Sequence, residues 1–305
     1  MANVPTSSNS VDDSIPTGVN AALVKVLRDL TVMQPLCVFD PMVQGEGAAK
    51  VYPRVSSTLA TTTISTGATE ADAVDAQEFT TDGVTITATM KALFVTLSKM
   101  AAFTSKANLE QEIGTEIGRA VQTAIDTSLA ALLGGFSTSY GVTTLELTAD
   151  EFMRAVVAYN SAAKEAAGRK VFVGHHKHFE AVTRQAISGV GFGGAGFVQL
   201  PGVMEMFAGS GAGMGYQGNF LGVPWILSGN APTANVGADR AGAIITMPSG
   251  PSNVDGALIL RMGMPQYQSV PAIGTRQVAD IHSGFVPYGV GELNDSLGVT
   301  VLTDA

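Results

Sequence analysis

A chain of 305 residues allows one large domain or two of medium size, with ample apolar material for a core. Only 14% of the residues are charged, 35 are Gly, and 17 Lys and Arg stand against 26 Asp and Glu, a net charge of -9. That balance excludes a protein whose main task is to grip phosphates, and so little charge implies that other protein chains cover part of the surface.

Residues 1–16 read as a polar arm in which Asp12 and Asp13 stand where a secretory signal would need positive charge and then an apolar run. No stretch reaches the roughly 18 uninterrupted apolar residues of a membrane span. The lone Cys37 excludes an intramolecular disulfide and fits a reducing compartment. The expectation is a soluble chain that is not exported by these routes. Leu23, Val26, Leu27 and Leu30 then recur at helical spacing, and Pro35 and Pro41 force extended chain after them.

Residues 50–90 predict a long β-hairpin arm. Val51, Pro53 and Val55 begin the outgoing limb, and Phe79 to Met90 form the returning one. Between Val55 and Met90 there is no Lys or Arg, while Glu70, Asp72, Asp75, Glu78 and Asp82 are all acidic. A charge run of this kind is ordinarily a solvated loop. A loop this long also needs a reason, and reaching a basic surface on another subunit would supply one.

From Val84 to Lys99 the chain alternates as a half-buried strand, Val84, Ile86, Ala88 and Met90 first, then Leu93, Val95 and Leu97 in the opposite phase. A bulge near Lys91-Ala92 is the expected cause of the shift. One long amphipathic helix follows, Leu109 to Leu133, with Asn108 as N-cap and Gly134-Gly135 as a left-handed stop. Leu109, Ile113, Ile117, Val121, Ile125, Leu129 and Leu132 line one face, and Glu112, Glu116, Arg119 and Asp126 lie away from it. At about 1.5 Å per residue this helix runs roughly 37 Å, the length of a spine.

Beyond it, Thr148 and Glu151 form a capping box for a second helix, Val171 to Val173 a buried strand and His178 to Ile187 a third helix. Gly189 to Gly218 holds 11 glycines, a segment expected to order only against something else. Strands are predicted at 222–227, 243–247, 257–262, 275–288 and 298–303.

Chemistry finds little purchase. Gly191, Gly193 and Gly196 match G-x-G-x-x-G, but the motif follows a helix, and Pro201-Gly202 leaves no room for the helix it should open. His175, His176 and His178 form the one histidine cluster, with Glu180 the only acid close by, so a zinc or nickel site is weakly supported against a polar strand-to-helix turn. There is no G-x-S-x-G elbow, and Cys37 has no evident base.

The order of parts carries more. A polar arm, an acidic-tipped hairpin, the run Gly83-Val-Thr-Ile-Thr-Ala-Thr-Met-Lys-Ala through Leu97-Ser-Lys, and a spine helix ending Asp126-Thr-Ser-Leu-Ala-Ala-Leu-Leu-Gly-Gly resemble the major capsid proteins of tailed phages. Asn219-Phe-Leu-Gly-Val-Pro-Trp, Tyr288-Gly-Val-Gly and Gly298-Val-Thr-Val are similar to later strands of that family. The resemblance implies an α+β chain of the Hong Kong 97-like fold, with an N-terminal arm (1–49), an extended loop (50–90), a peripheral domain (91–137 with 275–305) and an axial domain (138–274).

It further implies hexamers and pentamers closing an icosahedral shell around DNA, assembled in the host cytoplasm, with no cofactor and no catalysis. Its partners would be a portal, a separate scaffolding protein and a decoration protein. Glu70, Asp72, Asp75 and Glu78, with Arg54 and Arg119, are then the candidate inter-subunit contacts. Some family members lock the shell through a Lys to Asn cross-link made from the extended loop. With no Lys from Val55 to Met90, a non-covalent shell is expected here. Two alternatives stand beside this reading: an encapsulin-like nanocompartment shell, and a metal-dependent hydrolase using His175, His176 and His178.

Overall fold

The computed structural model describes residues 32–55 apart from 44, 81–99, 109–142, 145–163, 169–188, 216–248 apart from 235–236 and 238, and 255–304 apart from 275–276. Among these, strands β1 (Val38–Pro41), β2 (Ala49–Val55), β3 (Thr81–Thr87) and β4 (Thr89–Ser98) precede helix α1 (Leu109–Ala131). Next come β5 (Ser139–Tyr140), α2 (Ala149–Ala163), β6 (Lys170–Gly174) and α3 (His176–Ser188). The remainder is β: β7 (Tyr216–Phe220), β8 (Val223–Leu227), β9 (Thr233–Ala234), β10 (Asp239–Thr246), β11 (Leu258–Met262), β12 (Gln266–Gly274), β13 (Gln277–Glu292) and β14 (Gly298–Asp304).

Three sheets organise the strands. A five-stranded sheet runs β1-β11-β13-β12, with β4 also on β13; a seven-stranded sheet runs β5-β14-β10-β6-β8-β7, with β9 also on β10; and β2 pairs with β3 alone as a two-stranded ribbon. The long β13 makes the first sheet possible. Its N-terminal half pairs with β12 and its C-terminal half with β11, while β4 follows it along the other edge from Ala279 to Tyr288. Strands β11 and β12, from within 138–274, therefore sit with β4, and β14, from within 275–305, sits with β6 and β10.

Helix α1 ties the two large sheets together. Ile125, Leu129 and Leu133 pack in one cluster with Val171, Val173, Ala243 and Ile245 of the seven-stranded sheet and with Leu258, Leu260, Val286 and Tyr288 of the five-stranded one. Nearer its start, Ile117 meets Tyr267, with Val95, Ile113 and Val121 around them. The other face of the seven-stranded sheet is covered by α2 and α3, where the rings of Phe152, Phe172 and Trp225 meet edge-to-face or tilted at centroid distances of 4.4–5.2 Å. The capping box forms as expected: the Glu151 N–H donates to Thr148 Oγ1 at 3.1 Å, and the Thr148 N–H donates to Glu151 Oε2 at 3.1 Å.

Three local expectations are corrected. The phase shift in the extended run lies at Ala88, between β3 and β4, because the β4–β13 ladder passes Lys91-Ala92 without a register change. Ala88 closes the kink by donating its N–H to the Ala48 carbonyl at 2.9 Å, and Met90 consequently points outward. The spine helix has no left-handed stop: it tightens into a 3-10 turn, Leu132–Gly134, and Gly135 keeps φ at -93. Asp126 is buried rather than turned away, accepting the Gln122 side-chain N–H at 2.9 Å and the Val32 N–H at 3.3 Å. The apolar stripe therefore contains a polar pair that pins the chain entering β1. The Asn108 cap and the segment from Gly189 to Gly215 lie outside the described residues.

Candidate assembly arm and its root

The ribbon β2–β3 is the base of the expected hairpin arm. Its register sets Ala49 opposite Thr87 and continues to Val55 opposite Thr81, with Arg54 and Asp82 as register partners. Where it joins the body, a small core forms from Val38, Tyr52, Ile86, Ile259 and Leu293. Gly289 and Gly291 of β13 make that junction possible. A Cβ on Gly289 would stand 2.5 Å from the Thr87 carbonyl oxygen and 3.1 Å from Ala88 Cα, and one on Gly291 would overlap Ile86 Cδ1. At Gly289 the close neighbour is backbone, so only a residue without a side chain there lets the kinked ribbon lie this close, while at Gly291 it is the tip of the Ile86 side chain.

A charged cluster sits beside this core. Asp40 and Arg261 are register partners in the parallel β1–β11 pair. Arg261 is 1% exposed, with Nε 3.6 Å from Asp40 Oδ2 and Nη2 donating to Glu46 Oε2 at 3.1 Å and to the Gly47 carbonyl at 2.9 Å. Asp40 also accepts from Lys50 Nζ at 2.8 Å and from the Tyr52 hydroxyl. Burial alone would raise the Asp40 carboxyl, but hydrogen bonds from Lys50 and Tyr52 and the charges of Lys50 and Arg261 together hold it below the usual carboxylate range. For Tyr52 burial and the Asp40 carboxylate act in the same direction, and its hydroxyl is pushed up. One guanidinium thus joins β11, β1, the Glu46-Gly47 turn and, through Asp40, the outgoing limb of the ribbon.

Of the residues expected at an inter-subunit contact, Glu70, Asp72, Asp75 and Glu78 lie outside the described residues, as does the Arg54 side chain. Arg119 is exposed on α1 and pairs with Glu116 one turn away at 2.8 Å. The root cluster itself was not anticipated. Its signal was present: Arg261 is the one charge in the apolar run Ala257 to Met262, and an ionisable residue inside a buried strand requires a partner.

The histidines form a helix start. The His175 N–H donates to His178 Nδ1 at 3.2 Å, and His178 Nε2 reaches the Val301 carbonyl at 3.1 Å, so both ring nitrogens of His178 are engaged by backbone. Burial lowers the His178 pKa to about 4. His175 Nδ1 accepts the Lys177 N–H at 3.2 Å, and burial, then Arg240, His176 and Lys177, lower its pKa. Among the described residues no group of three His, Cys, Asp or Glu is placed to hold a metal ion. Cys37 is buried, its thiol pushed up to about 12 by burial and then by Asp126, and it donates to the Met33 and Gln34 carbonyls. Among the described residues no helix is long and apolar enough to cross a membrane.

By sequence, no family model matches the chain and no curated relative matches it. By structure the likeness is extensive. A Mycobacterium phage Che8 structure superposes with a TM-score of 0.58 at 17% identity, covering 89% of this chain and 90% of that one. The capsid of Ralstonia phage GP4 gives a TM-score of 0.61 at 10% identity, over 91% of this chain and 92% of that one. The chain has the Hong Kong 97-like capsid fold. The holo-SrpI encapsulin complex of Synechococcus elongatus shares this fold, with a TM-score of 0.54 at 11% identity over 88% of this chain and 85% of that one.

Proposed function

We propose that the chain is a tailed-phage major capsid protein, self-assembling into hexamers and pentamers that close an icosahedral shell around double-stranded DNA. The observation that carries this reading is the Hong Kong 97-like fold spanning about nine-tenths of the chain, shared with a structure of Mycobacterium phage Che8 and with the capsid of Ralstonia phage GP4. Its role is structural and non-catalytic, as a component of the virion assembled in the host cytoplasm. The net charge of -9 suits the wall of a container, because packaged phosphate slides past a weakly acidic surface instead of sticking to it.

In this reading residues 1–49 are the N-terminal arm, 50–90 the extended loop, 91–137 with 275–305 the peripheral domain and 138–274 the axial domain, with β11, β12 and β14 lacing the last two together. Glu70, Asp72, Asp75 and Glu78 at the loop tip reach basic side chains on a neighbouring copy, for which Arg54 and Arg119 are the candidates. A portal, a separate scaffolding protein and a decoration protein complete the particle. The shell is non-covalent, since no Lys lies between Val55 and Met90.

Electron microscopy of the purified full-length protein tests the reading. Closed shells, or rings of five and six, are the expected result, and a persistent monomer at high concentration would sink it. A ladder of multimers on a denaturing gel would contradict the non-covalent lock. The likeness to an encapsulin favours a second reading, a nanocompartment shell. Particles isolated from the native source that hold an enzyme and no DNA would establish that alternative.

A further inference from the structure

The cluster at the root of the ribbon is an expensive construction. Arg261 is 1% exposed, yet its Nε and Nη1 have no hydrogen-bond acceptor, and only Nη2 is fully used. A buried ion cluster of this kind adds little to stability as a whole, because packed apolar side chains in place of all its members would hold the surrounding core as well or better. What an apolar side chain could not do is fix three directions at once. Arg261 reaches the Glu46 carboxylate and the Gly47 carbonyl just ahead of β2, and Asp40 of β1, which in turn holds Lys50 and Tyr52 inside β2. On the opposite limb, Thr87 and Ala88 rest on Gly289 without room for a side chain. Both limbs of the ribbon are therefore fixed at their bases, one by a fork of hydrogen bonds and ion pairs, the other by backbone contact.

We propose that Arg261 is a positioning residue for the arm: it sets the direction in which the ribbon leaves the body, and hence the geometry with which the loop meets a neighbouring subunit. The second half rests on the shell reading; the first does not. The planar fork matters, because a lysine would supply the charge without the fixed geometry. The role is mechanical: Arg261 holds the base of the ribbon through Asp40, Glu46 and the Gly47 carbonyl.

The test uses Arg261→Met and Arg261→Lys in the full chain, with Arg184→Ala as a control in an exposed ion cluster. Amide hydrogen exchange on unassembled subunits reads the clamp directly. Exchange at 49–55 and 81–87 is expected to quicken about tenfold or more in both Arg261 variants, while α1 stays as protected as in the parent. Electron microscopy of assembled material then reads the consequence: a spread of particle diameters or open sheets for the Arg261 variants, and uniform shells for Arg184→Ala. Unchanged exchange at the ribbon root overturns the proposal, and so do uniform shells of parental diameter. Loss of α1 protection in both variants also overturns it, since Arg261 would then be a folding residue. If the parent chain forms no shells at all, the shell reading fails, and the exchange measurement still decides whether Arg261 positions the ribbon.

Discussion

Two clusters in this molecule use the same kinds of residue and differ in burial. At the ribbon root Arg261 meets Asp40 and Glu46, with Lys50 alongside. On the surface of α3 Arg184 meets Glu146 and, at 2.7 Å, Glu180, with Lys177 3.4 Å from Glu180. Arg261 is 1% exposed and Arg184 57%. Water screens the second cluster, and the entropy of holding long side chains offsets most of its Coulomb energy, so it contributes about 0–1 kcal/mol. The first cannot be dismantled piecemeal, because deleting one member strands a charge where water does not reach. An ion pair's chemistry says little about its weight; its surroundings decide it.

The largest effect expected is at Asp40. Asp40→Ala leaves Arg261 without its register partner and should destabilise the subunit by about 3–5 kcal/mol, measured by urea unfolding. A loss below about 1 kcal/mol would show that solvent reaches the cluster and erase the contrast.

Next in size is an acid limb beside the exposed cluster, from His178 one residue along from Lys177. Its folded pKa of about 4 lies below the unfolded 6.5, so the unfolded chain binds the proton more readily. The stability that neutral His178 brings is complete above pH 6.5 and is lost as pH falls toward 4, roughly 3 kcal/mol in all. His178→Gln should flatten unfolding free energy across that window, and a slope unchanged in the variant would assign the acid limb elsewhere. Asp40 acts in a lower window. Its folded pKa is depressed, so its contribution is present above the ordinary 3.8 and disappears only as pH falls through the lower folded value.

The smallest effect belongs to Arg184→Ala, expected within about 0.5 kcal/mol of the parent. Raising salt to about 1 M should abolish even that difference, and it should leave the Asp40→Ala penalty largely intact. Equal salt sensitivity at the two sites would mean that burial does not separate them.

Much of this fold was legible because its elements obey short periods. The stripe of Ile113, Ile117, Val121, Ile125 and Leu129 fixed α1, and the Thr148–Glu151 pair fixed the start of α2 to the residue. The errors share one cause, tertiary contact overriding a local pattern. Asp126 belongs on the wet face by its charge, but the N–H of Val32 makes it a buried acceptor. The helix end was assigned to a left-handed glycine, yet buried Phe136 packs flush against Gly298, and a 3-10 turn delivers it there. The phase shift was audible in the apolar pattern, but its position depended on Gly289, two hundred residues downstream, being able to receive Thr87 and Ala88. At the root cluster Arg261 stood out in its apolar run, but its partner was not legible, since no window of sequence holds Asp40 and Arg261 together.

The parallel pairing of β1 with β11 joins Val38 to Ile259, and the ribbon root draws on Arg261 and Leu293 as well. During synthesis the segment carrying the arm emerges early and finds its seat only after most of the chain has followed. At about 5–20 residues per second the wait is on the order of tens of seconds. A nascent chain that has not yet reached β11 therefore has no rooted arm. Ribosome-bound chains halted before and after residue 293 should differ in protease resistance at the ribbon; equal resistance would show that the arm roots independently.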